Sequence, residues 1–230
     1  FNAPPFTPTD VKSLGLVGLA AGTISKQYTA VFGSIPIDGI EIDPAIVQVG
    51  RDYFDMNEPN LNIIVEDGRW ALAHSSNRYS VVGVDAYRLP YIPPQLTTVE
   101  FFQQVRDHLT ERGALVINVG RTPTDRRLIE AMTHTLLAVF PSVHVMDVPD
   151  TFNSILVATV QPTLPGNLLA NWAALPPDAH PFLRYALQLG ADSLQPTVSA
   201  GPVFTDDVAP VEQLTNSIVI NFVLGEGLKY

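Results

Sequence analysis

The chain has 230 residues, 46% of them hydrophobic and 16% charged, enough to bury one sizeable core with at most a small appendage. A formal net charge of −10 argues against a nucleic-acid partner, whose phosphates it would repel, and suits a cationic ligand. The lack of cysteine excludes disulfides, thiolate metal sites and cysteine nucleophiles, and with neither a long apolar run nor a signal-peptide pattern the expectation is a cytoplasmic protein that does not itself insert into a membrane.

Residues 1–13 begin FNAPPFTPTD, and this proline-rich stretch reads as a linker or the remnant of a missing amino-terminal region. Opening on Phe1 rather than methionine, the sequence reads as an excised domain or a trimmed chain. Residues 14–19 form a short apolar run, a first strand, after which Gly18, Ala20, Ala21 and Gly22 let the backbone turn sharply and approach a ligand closely. Thr23 is placed to cap the helix that follows. Residues 37–42 supply a second buried strand, and Glu41 stands near its carboxyl end, about twenty residues beyond the glycines. A nucleotide-binding α/β fold places there the acid that holds a ribose diol. The spacing serves a dinucleotide or an adenosyl cofactor equally.

Pro44 starts the next helix, with Ile46, Val47, Tyr53 and Phe54 as its packing residues. A third strand covers 61–67, a short helix 69–75, and a fourth strand runs up to Asp85. Helix over 98–109, strand over 113–119 and amphipathic helix over 125–139 follow. The apolar runs 143–148 and 154–160 close the sheet, and the five residues between them suffice for a hairpin but not for a parallel crossover. This alternation predicts an α/β fold with a mostly parallel, doubly wound sheet of seven strands, the last antiparallel, and ligands outside the carboxyl ends of the strands. Residues 14–160 make up that domain, and 161–230 a carboxyl-terminal helical extension packed on it, with the proline-rich 164–181 around Trp172 as cover over the sheet.

Glu41, Asp67 and Asp85 fall at the ends of consecutive strands. Each alone reads as a helix cap or solvated turn, but a ligand lying across the switch point of the sheet would meet all three. Asp67 with Gly68 makes a strand-end turn whose carboxylate can accept from an adenine amino group. The five histidines, His74, His108, His134, His144 and His180, lack metal-ligand spacing and are expected at helix ends or facing solvent, with no metal bound.

Four stretches, GLAAGTIS, GIEIDPAIVQVGRDYF, VEDGRWAL and VVGVDAYRLPYIPPQLTTVEFF, in this order and spacing resemble the spermidine synthase (polyamine aminopropyltransferase) family. They look most like its bacterial spermidine synthase-like branch, and the late TDDVAPVEQL resembles that branch's closing motif. The resemblance covers residues 14–119. It implies a class I methyltransferase-like Rossmann fold that binds decarboxylated S-adenosylmethionine or its product methylthioadenosine and transfers an aminopropyl group to a small-molecule amine. By the same resemblance, Gly18 and Gly22 match the loop under the cofactor, Glu41 the ribose-binding acid, Asp67 and Gly68 the adenine-binding pair, and Asp85 the catalytic aspartate. A carboxylate beside the sulfonium orients the amine and helps remove its proton. The sulfonium is itself the activating charge, so the chemistry requires no metal.

Two departures bear on the acceptor. Arg88 stands where the polyamine-making enzymes carry a second acid, and a guanidinium there repels a dication. The family's small amino-terminal β domain, which lends acceptor and homodimer contacts, is absent from this sequence. Tyr87, Arg88, Tyr91 and Gln95 are the candidates to line an acceptor pocket, while Asp206 and Asp207 either cap the last helix or close over the site and replace the missing acid. Weak activity on ordinary diamines is therefore expected. Two alternatives stay open: a small-molecule methyltransferase using intact S-adenosylmethionine, and a cofactor-binding domain without turnover.

Overall fold

Short apolar runs alternating with amphipathic segments need helices on both faces of a sheet to bury them. In the computed structural model, which describes residues 1–88 and 90–225, they are arranged as β1 (Leu14–Val17), α1 (Thr23–Phe32), β2 (Ile37–Glu41), α2 (Pro44–Tyr53), β3 (Leu61–Val65), α3 (Gly68–Ala73), β4 (Tyr79–Val84), α4 (Val99–Asp107), β5 (Leu109–Gly120), α5 (Arg127–Leu137), β6 (Ser142–Asp147) and β7 (Asn153–Thr159). Beyond them come α6 (Gly166–Ala173), α7 (Pro181–Asp192), β8 (Leu194–Gln195) and α8 (Val211–Gly225). The expected extension over 161–230 reaches past the described residues at 226–230. Among the described residues no helix is long and apolar enough to cross a membrane.

The sheet runs in the order β3-β2-β1-β4-β5-β7-β6-β8. The pairs from β3 through to β5 are parallel, and β7 lies antiparallel between β5 and β6. The hairpin foreseen for the two closing strands is present, with Val145 opposite Leu156. The sequence pattern missed β8, which adds an eighth strand by pairing Leu194 and Gln195 with Met146 and Val145. Two residues are too few to display an alternating period. Because β1 and β4 are neighbours while the chain visits β2 and β3 between them, the loops at their carboxyl ends part there and leave a crevice.

Apolar side chains fill both sides of the sheet. Val17, Val82, Leu115, Ile117 and Val119 pack with Phe101, Phe102 and Val105 of α4 and Met132 and Leu136 of α5 on one side. Leu14, Leu16, Ile37, Val47 and Met56 form a smaller layer on the other. Asp38 of β2 is a buried acid of the sheet: it is 9% exposed and accepts from Asn62 Nδ2 at 2.8 Å, Asn77 Nδ2 at 2.8 Å and Tyr79 Oη at 2.7 Å. Three donors compensate the buried charge. Burial, with Asp38 alongside, pushes the Tyr79 hydroxyl up to about 12.

Three local expectations need correction. On α2, Val47 and Gly50 are buried, whereas Ile46, Tyr53 and Phe54 are exposed, because the glycine lets the helix settle against Met56 and turns those larger residues outward. Gly22, not Thr23, is the N-cap of α1, at φ +82° and without a side-chain cap bond. Four of the histidines do sit at helix ends, but His144 is buried in β6 at 3% exposure. Its Nε2 lies 2.8 Å from the Thr163 hydroxyl, and its ring stacks on Phe1 with centroids 4.0 Å apart. Residues 1–13 pack nearby: Asn2 donates to the Arg112 carbonyl and accepts from Asn171 Nδ2, and Phe6 lies under the Arg112 guanidinium at 4.9 Å.

Burial lowers the His144 imidazole from 6.5 to about 4. As pH falls below about 6.5 the unfolded chain binds a proton that the folded chain refuses, so stability is lost between about pH 6.5 and pH 4, at up to roughly 1.4 kcal/mol per pH unit. Urea unfolding midpoints across that window should fall with pH, and His144→Asn should flatten the slope. A slope unaltered by the substitution would contradict this account.

Candidate active site

The strand register brings the candidate acids to one edge. Val17 of β1 stands opposite Ile40 of β2 and Val84 of β4, and Glu41 opposite Val65 of β3. Gly18, Glu41 and Asp85 therefore leave the sheet at the same level, with Glu41 and Asp85 on opposite sides of β1. With about 4.8 Å between strands, their backbones are separated by about 10 Å.

Gly18 is the pivot of this edge. Its φ is +93°, its amide and that of Leu19 donate to the Ile40 carbonyl, and the Asp85 amide donates to the Val17 carbonyl at 2.9 Å. A Cβ on Gly18 would lie 2.6 Å from the Asp85 carbonyl oxygen, so the turn after β1 and the loop after β4 touch backbone to backbone. Gly22 has a different task. A Cβ there would meet Met56 Cγ at 2.5 Å, so its small size lets α1 pack down on the core.

Glu41 is 8% exposed, and both its oxygens are engaged: Oε2 accepts from the Ala20 amide at 2.9 Å and Oε1 from the Asp43 amide at 3.2 Å. It thereby holds Ala20 at φ +48°. A carboxylate offers about four acceptor positions, so capacity for two further donors remains. Asp67 is the N-cap of α3, its Oδ1 accepting from the Trp70 amide at 2.9 Å. Gly68 starts α3 directly against β1, where a Cβ would lie 2.5 Å from Val17 Cγ1.

Asp85 is exposed, and its Oδ1 accepts from Asn118 Nδ2 of β5 at 3.0 Å. The carbonyl of the same Asn118 accepts from Tyr87 Oη at 3.0 Å. Burial, reinforced by the charge of Asp85, pushes the Tyr87 hydroxyl far above the ordinary phenol range, so it remains a donor. Arg88 and Tyr91 then pair backbone to backbone at 2.8 and 3.0 Å, with Arg88 exposed. Tyr91 Oη donates to Asn216 Oδ1 of α8 at 2.6 Å. Gln95 is exposed, and its carbonyl accepts from Arg69.

Asp206 spends its carboxylate elsewhere. Arg69 holds it through two bonds of 2.7 Å, and the Thr98 hydroxyl adds a third at 2.7 Å. The hydrogen-bonded guanidinium keeps Asp206 below the usual carboxylate range. Its own amide donates to Glu100, so Asp206 fastens the irregular segment before α8 onto α3 and α4 rather than capping α8. Asp207 is exposed beside it.

Asn118 and Arg69 are among the residues here that the sequence pattern did not single out. Asn118 left a trace, a polar residue inside the apolar run ALVINVG; Arg69 left none, since its partner lies 137 positions away. A concavity of about 500 Å³ between the β5–α5 loop and α8, lined by Thr122, Asp125, Arg127 and Phe222, contains none of the three strand-end acids. Chemistry rather than depth marks the site.

The backbone contact at Gly18 has a measurable consequence. Gly33 also has positive φ, +78°, but nothing lies within 4 Å of an added Cβ. Gly33, at φ +78° and ψ −166°, lies in a region that favours glycine, so Gly33→Ala should cost only that backbone strain of about 1–3 kcal/mol, whereas Gly18→Ala adds to its own backbone strain an overlap worth about 1–3 kcal/mol more. Equal shifts in denaturant midpoint for the two variants would remove the contact from the account.

Residues 31–167 match the spermine/spermidine synthase domain model. Over 160 residues the chain is 35% identical to a Bifidobacterium longum protein named a probable polyamine aminopropyl transferase, a match taking in 68% of this chain and 35% of that one. The chain spans about a third to a half of the length of the curated relatives it matches. The crystal structure of a probable spermidine synthase from Corynebacterium glutamicum superposes with a TM-score of 0.64 at 20% identity, over 84% of this chain and 73% of the other. Human methyltransferase-like protein 13 in complex with SAH superposes with a TM-score of 0.63 at 23% identity, over 89% of each. These two establish the fold, a class I methyltransferase-like Rossmann sheet. The matched family segment is more than half of the sequence and contains Glu41, Asp67, Asp85 and Asn118, and the chain belongs to the spermine/spermidine synthase domain family.

Proposed function

We propose that this chain is the adenosyl-binding and transfer domain of a polyamine aminopropyltransferase-like enzyme, taking decarboxylated S-adenosylmethionine as donor and a small-molecule amine as acceptor. The observation that carries this reading is the exposed Asp85 carboxylate, anchored through one oxygen on Asn118 and set against the Gly18 turn. Glu41 suits a ribose diol because it is nearly buried yet retains acceptor capacity beyond its two amide donors. Asp67 and Gly68 at the next strand end take the adenine side, and Gly22 acts through the packing of α1.

In the transfer step, Asp85 orients the amine and takes one of its protons. The nitrogen lone pair forms the new bond to the aminopropyl carbon as the carbon–sulfur bond breaks, and its electrons neutralise the sulfonium to a thioether. On the acceptor side lie Tyr87, Tyr91 and Gln95, with Arg88 contributing positive charge. Because Asp206 is committed to Arg69, it supplies no second acid there, and the far end of a dication bound at Asp85 meets the positive charge of Arg88. The same reading takes the active unit as a cytoplasmic homodimer with no nucleic-acid partner, in keeping with the charge of −10.

A second reading, a methyltransferase using intact S-adenosylmethionine, is favoured by one observation. The human methyltransferase-like protein 13 fold covers 89% of this chain as closely as the spermidine synthase fold does. Calorimetry with methylthioadenosine and with S-adenosylhomocysteine separates the two by which ligand binds more tightly.

Glu41→Ala should weaken methylthioadenosine binding about ten- to a hundredfold, the worth of one charge-assisted hydrogen bond. Unchanged affinity would take Glu41 out of the site. Asp85→Asn should abolish aminopropyl transfer with methylthioadenosine affinity nearly intact; retained turnover would exclude Asp85 as the base. Putrescine should be a poor acceptor, and Arg88→Asp should improve it. Brisk putrescine turnover indifferent to position 88 would overturn the acceptor assignment.

A further inference from the structure

Asn118 makes an expensive arrangement for a residue in the middle of a sheet. Its neighbours on β5, Ile117 and Val119, are fully buried, and its own backbone is paired with Ile155 of β7. Asp85, when ionised, can only accept, so the amide must present Nδ2 to it. That orientation leaves Asn118 Oδ1 buried and without a hydrogen-bond partner among the described residues. An orphaned buried acceptor forfeits its hydration, whereas the bond gained in exchange goes to an exposed carboxylate that water could serve. An apolar side chain of similar size would suit the fold better.

We infer that Asn118 is a positioning residue, retained at a cost in stability because it fixes the Asp85 carboxylate with Oδ1 anchored and Oδ2 turned to the acceptor. The inference rests on the reading of Asp85 as the proton acceptor. The grip is double: Nδ2 holds the carboxylate of residue 85, and the backbone carbonyl holds the hydroxyl of Tyr87 two residues on. The carbonyl contact survives any side-chain substitution, so the loop stays docked on β5 while Asp85 alone becomes free to rotate. Loss of a defined carboxylate direction lowers the rate of the bond-forming step without touching the adenosyl side.

The test compares wild-type protein, Asn118→Leu and Asn118→Gln in thermal unfolding, methylthioadenosine calorimetry and aminopropyl transfer with its best amine. Asn118→Leu is expected to melt at the same temperature or up to about 4 °C higher. Its kcat should fall about ten- to a hundredfold with KM and methylthioadenosine affinity held within about twofold, and Asn118→Gln should restore part of the rate. A leucine variant that melts several degrees lower, or one that keeps full kcat, overturns the assignment. Should Asn118→Leu fail to fold, Asn118→Ser reads the same kcat-to-KM split, and an undiminished kcat there is equally decisive. A wild-type chain that transfers no aminopropyl group at all overturns instead the function from which the inference starts, so the two failures are told apart.

Discussion

The geometry of the candidate site depends on one close contact, the approach of the Gly18 backbone to the Asp85 carbonyl, where even a methyl group would not fit. The contact follows from topology. β1 and β4 are neighbours because the chain has gone out to β3 and returned, so their two exits point in opposite directions around the sheet and meet only at the first residue beyond each strand. Gly18 can take φ +93° at that point, and Asp85 is then fixed through its amide to the Val17 carbonyl. Glu41 extends the same arrangement to the other side of β1, because its carboxylate holds Ala20, two residues further along the turn. The acids on either side of β1, Glu41 and Asp85, are thus bound to a single backbone bend.

Charge is distributed unequally about that bend. Asp206 comes from the far end of the sequence, yet it is consumed by Arg69 and Thr98, so its contribution is to hold residues 204–208 against α3 and α4. Partly exposed ion pairs are weak individually. Here the pair is bidentate and joined by the Thr98 hydroxyl, Glu100 and the Val99–Phe204 backbone bond, so several modest contacts act on one segment. Tyr91, bonded to Asn216, ties the loop after Asp85 to α8. The loop after Asp85 is therefore braced by the carboxyl-terminal part of this chain, and Arg88 within it is left exposed.

The strands, the closing hairpin and the strand-end acids were legible in the sequence because each rests on a local pattern: apolar runs of strand length, a glycine turn, and a connection of five residues too short for a crossover. Packing on α2 was not, since a helical period does not say which of two apolar stripes faces inward, and Gly50 and Met56 decided it. Neither was β8, which lacks the length to show a period, nor the burial of His144, whose partners Phe1 and Thr163 are distant in sequence or outside any regular element. The Arg69–Asp206 pair escaped for the same reason. What sequence periodicity conveys is which faces need covering, and long-range polar contacts are set by how the covering segments happen to end.

Two polar residues in this sheet make the last distinction clear. Asp38 and Asn118 both interrupt apolar strands, and each is held by partners from neighbouring elements. Asp38, near the start of β2, has three donors for its charge and is closed off from the acid-bearing edge. Every member of that network gains a partner, so stability alone explains it. Asn118, near the end of β5, reaches an exposed carboxylate with one half of its amide and leaves the other half buried without a partner. Stability does not explain that arrangement, because an aliphatic residue would avoid the loss. Local choices that disagree with the needs of the fold are expected where a protein does its chemistry, and within this sheet the disagreement falls at the residue that touches Asp85.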